Sequence, residues 1–157
     1  MDRSPRYSID SSSLMHGWCR VYRPKNFGFI WDRIEALAVE GRLSASIEVL
    51  HEISKKDDEL FKWCKARQEA LFVEVDDACQ AHLARIMAGY PRLVDTVKGR
   101  SGGDPFVIAL ASSKGKSCSV VTEEHPGKMR IPDVCRAEGI TCIGFADLIE
   151  QEDWRFA

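Results

Sequence analysis

None of the 157 residues falls in an apolar run long enough to cross a bilayer, and no apolar segment follows the polar, charged residues 1–6. Neither a membrane span nor an export signal is therefore expected. The six cysteines include no C-x-x-C pair, which argues against a zinc centre. They are expected as reduced thiols of a cytoplasmic protein, mostly filling the core. Positive charge is not in surplus: 22 Lys and Arg face 24 Asp and Glu, a formal net charge of −2. A nucleic-acid partner would have to meet a local basic patch. The first strand is not followed by G-x-G-x-x-G, the main signal of dinucleotide binding. No Ser or Cys sits in a nucleophile elbow, so His16, His51, His82 and His125 are expected as surface or core histidines. There is no internal repeat and no low-complexity tract.

What is present reads as one folded domain spanning residues 1–157, with 45% hydrophobic and 29% charged residues. Residues 7–9 form a short apolar strand that ends at Asp10 and runs into a serine-rich turn. Residues 18–25 mix aromatic and basic side chains around Pro24 and read as a loop or broken helix. Three- and four-residue apolar spacing predicts helices over 27–40, 49–71 and 74–90. The second breaks near Lys55-Lys56, with Asp57 as N-cap of the restart. A glycine-rich basic loop, 98–103, leads to Asp104 as N-cap and Pro105 at N1 of an apolar, buried helix over 106–111. Strands are expected at 43–47, 117–122 and 140–143, and helices at 131–137 and 145–150. Strands alternating with helices predict a three-layer α/β/α sandwich around a parallel sheet of about four strands. Such sheets bind ligands beyond the strand carboxyl ends, where the strand order reverses.

Several acids fall at or beside that edge. Asp10 ends the first strand. Glu123 and Glu124 end the third. Glu52 lies between Val49 and Ile53, beside a buried helix face. Asp104 opens the apolar helix. Each alone reads most simply as a cap or a solvated turn. Together they are the oxygen donors that Mg²⁺ or Mn²⁺ prefers, and such an ion activates water and stabilises charge on a phosphoryl oxygen. Ser12, rather than a second Asp, stands two residues after Asp10, which weakens an aspartyl-nucleophile phosphatase.

Tyr7-Ser8-Ile9-Asp10-Ser11-Ser12 resembles the opening strand of PIN-like domains. Asp104-Pro105-Phe106-Val107-Ile108-Ala109 resembles their third acid and its helix. Val120-Val121-Thr122-Glu123-Glu124 resembles their strand ending in Thr, any residue, acid. Tyr22-Arg23-Pro24-Lys25-Asn26-Phe27, Val49-Leu50-His51-Glu52-Ile53 and Ile131-Pro132-Asp133-Val134-Cys135 are similar to one branch of that superfamily, long catalogued as a bacterial domain of unknown function. The likeness runs through nearly the whole chain in order. It implies a VapC-like toxin: a Mg²⁺- or Mn²⁺-dependent endoribonuclease that leaves a 5′-phosphate and a 3′-hydroxyl. Asp10, Glu52 and Asp104 would be its main metal-binding and catalytic acids. Glu124 would be the fourth, at a place where many members carry Asp, with Glu123 as a substitute. Ser12 would orient a carboxylate or a water. The resemblance also implies a cognate antitoxin, of which a helix-turn-helix repressor is one form, and a homodimer.

RNA would meet two basic segments, Arg20, Arg23 and Lys25 after the first strand and Lys98 and Arg100 before Asp104. Two rivals remain at this point: a PIN-like module that binds RNA or protein without cutting, and a structural subunit whose acids are all caps.

Overall fold

The fold is described from a computed structural model covering residues 4–93 and 103–155, the side chain of Asp58 excepted. Five strands form it: β1 (Arg6–Ile9), β2 (Leu43–Ser46), β3 (Phe72–Val73), β4 (Cys118–Val121) and β5 (Cys142–Ile143). Their order is β3-β2-β1-β4-β5, and every pair is parallel. The chain thus builds outward from β1 to one edge and returns to build the other side from β4. The order reverses between β1 and β4, the two most enclosed strands. Ile9, Val120 and Val121 are fully buried, as a parallel sheet covered on both faces requires.

Helices cover the sheet. They are α1 (Ser11–His16), α2 (Pro24–Val39), α3 (Ile47–Ser54), α4 (Asp58–Ala66), α5 (Gln68–Leu71), α6 (Asp77–Gly89), α7 (Asp104–Lys114), α8 (Ile131–Glu138) and α9 (Phe145–Gln151). The apolar helix α7 packs on β1, β2 and β4, with α6 and α8 against it. The Ser8 hydroxyl in β1 donates to the Val107 carbonyl of α7 at 2.8 Å, tying helix to strand through a fully buried bond. On β2 pack α2, α3 and α5. No helix among the described residues is long and apolar enough to cross a membrane.

The expected α/β sandwich is the one formed, with five strands instead of about four. The additional strand, β3, is only two residues long and lies just past the expected helix over 49–71, a length at which period-two alternation cannot show. That helix divides into α3, α4 and α5. Asp57 caps α4, its carboxylate accepting the Leu60 N–H at 2.8 Å. The serine-rich segment after β1 is the helix α1, not a turn, and a π-helical stretch, Gly17–Val21, prolongs it. The expected cap of α7 shifts by one. Gly103 is the N-cap, Asp104 is the first helical residue, and Pro105 takes the second position, where its missing N–H is still harmless.

Candidate active site

The reversal of strand order places the end of β1 beside the end of β4, and Asp10 and Thr122 are the first residues past those ends. Asp10 is 3% exposed and Asp104 5%. They are the two buried acids among the described residues, and isolated carboxylates seldom stay buried without partners.

Asp10 is held on every side. Its Oδ1 accepts the Ser11 N–H at 2.7 Å, which makes it the N-cap of α1. Its Oδ2 accepts the Ser12 hydroxyl at 2.7 Å and the Thr122 hydroxyl at 2.9 Å. Burial nevertheless pushes the Asp10 carboxyl above its ordinary range, outweighing the Ser12, Thr122 and backbone hydrogen bonds that pull it down. Ionising this group inside the fold is costly, and a nearby cation would offset that cost.

Glu52 comes from the far side of β1, on α3, which packs against α1. The Ser11 hydroxyl reaches Glu52 Oε2 at 2.8 Å and stands 3.5 Å from Asp10 Oδ1, so one side chain bridges the two carboxylates. Asp104 is buried at the first turn of the helix anchored to β1 through Ser8. Glu124 stands at the start of α8, where its Oε2 accepts the Ile131 N–H at 3.2 Å, while its own N–H donates to Thr122 Oγ1 at 3.2 Å. Its charge and that of Asp10 both act on the Cys142 thiol. That thiol is nonetheless lowered, because the hydrogen bond from Cys135 outweighs burial and the two carboxylates. Glu123 turns the other way: its Oε1 lies 3.2 Å from His16 Nε2, and its N–H donates to Ser12 Oγ at 3.0 Å.

Two open grooves flank this edge. One, about 620 Å³, is lined by Ser12, Met15, His16, Cys19, Arg20 and Glu123. The other, about 320 Å³, holds Thr122, Glu123, Glu124, Cys142, Gly144 and Asp147. Arg20, Arg23 and Lys25 are all exposed around the π-helical stretch and the start of α2, and Arg23 Nε donates to the Cys19 carbonyl at 3.0 Å. Lys98 and Arg100 lie outside the described residues.

The donor set around Asp10 is all oxygen: two carboxylates bridged by a serine, with the Ser12 and Thr122 hydroxyls behind. Among the described residues, no three His, Cys, Asp or Glu side chains are gathered closely enough to hold an ion by themselves. The set therefore suits a hard cation that keeps most of its waters and takes one or two carboxylates, which is the habit of Mg²⁺, and not a full protein cage.

Three residues of this arrangement do not announce themselves in the sequence. Ser11 sits in a run of three serines with nothing to mark which one faces Glu52. Thr122 is visible only as spacing between a strand and an acid. His16 reads as a surface or core histidine until Glu123, more than a hundred positions away, is seen beside it.

The sequence model described as "Domain of unknown function (DUF4411)" matches residues 7–156. No curated protein matches the chain. Among solved structures, the chain is similar to one chain of VapBC2 from Rickettsia felis bound to a DNA fragment from their promoter. The identity is 13% and the TM-score 0.55, over 88% of this chain and 98% of that one. It is also similar to a chain of DNA-bound VapBC from Salmonella typhimurium, with 16% identity and a TM-score of 0.56 over 89% and 98% of the two chains. At such identities the likeness is one of fold, and the fold is the PIN-like one.

Proposed function

From the premise that the chain belongs to the DUF4411 family, a domain family of unknown function matched over residues 7–156, we propose that it is a Mg²⁺- or Mn²⁺-dependent endoribonuclease, acting in the cytoplasm as the toxin of a toxin–antitoxin pair. The observation that carries this reading is the buried Asp10 carboxylate at the reversal of strand order, joined through Ser11 to Glu52. A structural cap needs no second acid from another helix and no burial.

In this reading Asp10 and Glu52 hold the cation. Asp104 at the start of α7 and Glu124 at the start of α8 would be the third and fourth acids, one Glu124 oxygen being engaged by the Ile131 N–H. The ion supplies positive charge for the phosphoryl oxygens and an activated water. The chain's own residues do the positioning. Ser12 and Thr122 fix Asp10 Oδ2, and the backbone of Ser11 fixes Oδ1, so the carboxylate cannot rotate away. Arg20, Arg23 and Lys25 receive the phosphates of the RNA strand in the larger groove, with Lys98 and Arg100 as further contacts. The VapBC likeness supports an antitoxin partner, whose helix-turn-helix form and whose homodimeric toxin are parts of the same proposal.

The test is cleavage of a single-stranded RNA with added Mg²⁺ or Mn²⁺, followed by sequencing of the 5′ ends. Asp10→Asn and Asp104→Asn are each expected to lower the rate at least about a hundredfold, beyond what loss of an outer hydrogen-bond partner costs. Cleavage unchanged by both substitutions defeats the catalytic reading. RNA binding without metal-dependent cleavage would favour a non-catalytic module.

A further inference from the structure

The groove beside Asp10 is lined by a histidine that the reading above does not use. His16 ends α1, two turns from Asp10, and lines the groove next to Ser12, whose hydroxyl holds Asp10 Oδ2. Its Nε2 stands 3.2 Å from Glu123 Oε1, and this is its one polar contact among the described residues. A carboxylate so close keeps a proton on the nitrogen that faces it. In the neutral ring the other nitrogen, Nδ1, then carries a lone pair and can only accept.

Glu123 is itself fixed in this role. Its N–H is bound to Ser12 Oγ, and its Oε2 lies against Gly144, where a Cβ would stand 3.0 Å away, so glycine leaves the carboxylate room. Of the other acceptors of the groove, Glu123 Oε2 lies on the Gly144 side. Ser12 Oγ donates to Asp10 and accepts from Glu123, and His125 is exposed at the rim. Met15 and Cys19 offer weak sulfur acceptors at best.

Of the groups an RNA strand carries beside its scissile phosphate, the ribose 2′-hydroxyl is the donor that DNA lacks. Building on the ribonuclease reading, we infer that His16 Nδ1 accepts the 2′-hydroxyl of a nucleotide flanking the cut, with Glu123 as the positioning residue that fixes the tautomer. His16 is thus a specificity residue that makes the site select ribose over deoxyribose.

The experiment uses the full chain with Mn²⁺ and a set of RNA oligonucleotides. Each carries a single 2′-deoxy substitution, placed in turn at each nucleotide flanking the cut. The wild-type protein is expected to lose roughly three- to tenfold in kcat/KM at one position, the worth of one hydrogen bond. His16→Ala is expected to cut the all-ribose strand more slowly and to be indifferent to that deoxy substitution. His16→Asn, whose amide oxygen can stand near the place of Nδ1, restores part of the discrimination. Unchanged Mn²⁺ binding and unchanged melting temperature in both variants would exclude a lost metal or a damaged fold. A His16→Ala protein as sensitive to the 2′-deoxy substitution as the wild type overturns the inference, as does a wild type that discriminates at no position. A wild type that cuts no RNA at all ends the ribonuclease reading beneath it.

Discussion

A carboxylate as enclosed as Asp10 is stabilised by three hydrogen bonds and still titrates above its ordinary range, because burial outweighs them. That has a consequence for stability that is separate from activity. A carboxyl whose folded-state pKa is raised favours folding while protonated, below its unfolded value of about 3.9, and that contribution is lost as pH rises through the folded value. At neutral pH without metal, Asp10 therefore destabilises the fold. The substitution that removes cleavage should make the metal-free protein melt higher at neutral pH. Its advantage should shrink on acidification and vanish below about pH 4. Adding Mn²⁺ should raise the wild type towards the variant and leave the variant unmoved, since a ligand stabilises only a state that binds it. Differential scanning calorimetry across pH, with and without Mn²⁺, reads all three effects. Asp10→Asn melting lower than wild type at every pH would show Asp10 to be a cap and nothing more. The same residue shows what was legible from sequence. An acid ending a strand of a parallel sheet is visible in one dimension. Its burial is not, because it is set by Thr122 and by Glu52 on another helix, and neither can be placed beside Asp10 until the strand order is known.

Legibility fails differently at the scale of the element. The helices with a clear apolar face are readable to within a few residues, and Asp57 marks the start of α4 as expected. The segment between β1 and α2 was not, because its geometry is decided by packing and not by local preference. Gly17 opens the π-helical stretch, and a Cβ there would stand 2.9 Å from Phe145 Cε2 and 3.2 Å from Trp31 Cζ2. Phe145 is fully buried, stacked on Tyr22 and tilted against Trp31, so its ring has nowhere to go. A single missing methyl group thus lets the end of α1 lie directly on the aromatic core formed with α9. Gly17→Ala is expected to cost about 1–3 kcal/mol, a fall in Tm of roughly 2–4 °C for each kcal/mol. Because His16 is its neighbour, the same change should disturb the groove as well as the core. A thermal melt indistinguishable from wild type would mean that the chain relaxes here freely.

At the scale of the whole molecule, a formal net charge of −2 must be reconciled with the polyanionic substrate proposed above. The acids that would bind the cation account for part of the negative charge, and a divalent ion held there removes two units of it. What remains for steering is local: Arg20, Arg23 and Lys25, all exposed and clustered where α1 passes through its π-helical extension into α2. Topology brings that cluster to the site, because the same connection carries the chain from the end of β1 past the groove beside Asp10. Affinity for single-stranded RNA should then depend on few ionic contacts. The three contacts of this cluster imply a share of about −2 in the slope of log K against log salt, with Lys98 and Arg100 adding to it, measured by fluorescence anisotropy with the Asp10→Asn protein. Arg20→Ala should lessen that slope by about 0.7 while weakening binding alike for all sequences. A slope unchanged by Arg20→Ala would place the phosphate path elsewhere on the surface and leave this groove to some other part of the substrate.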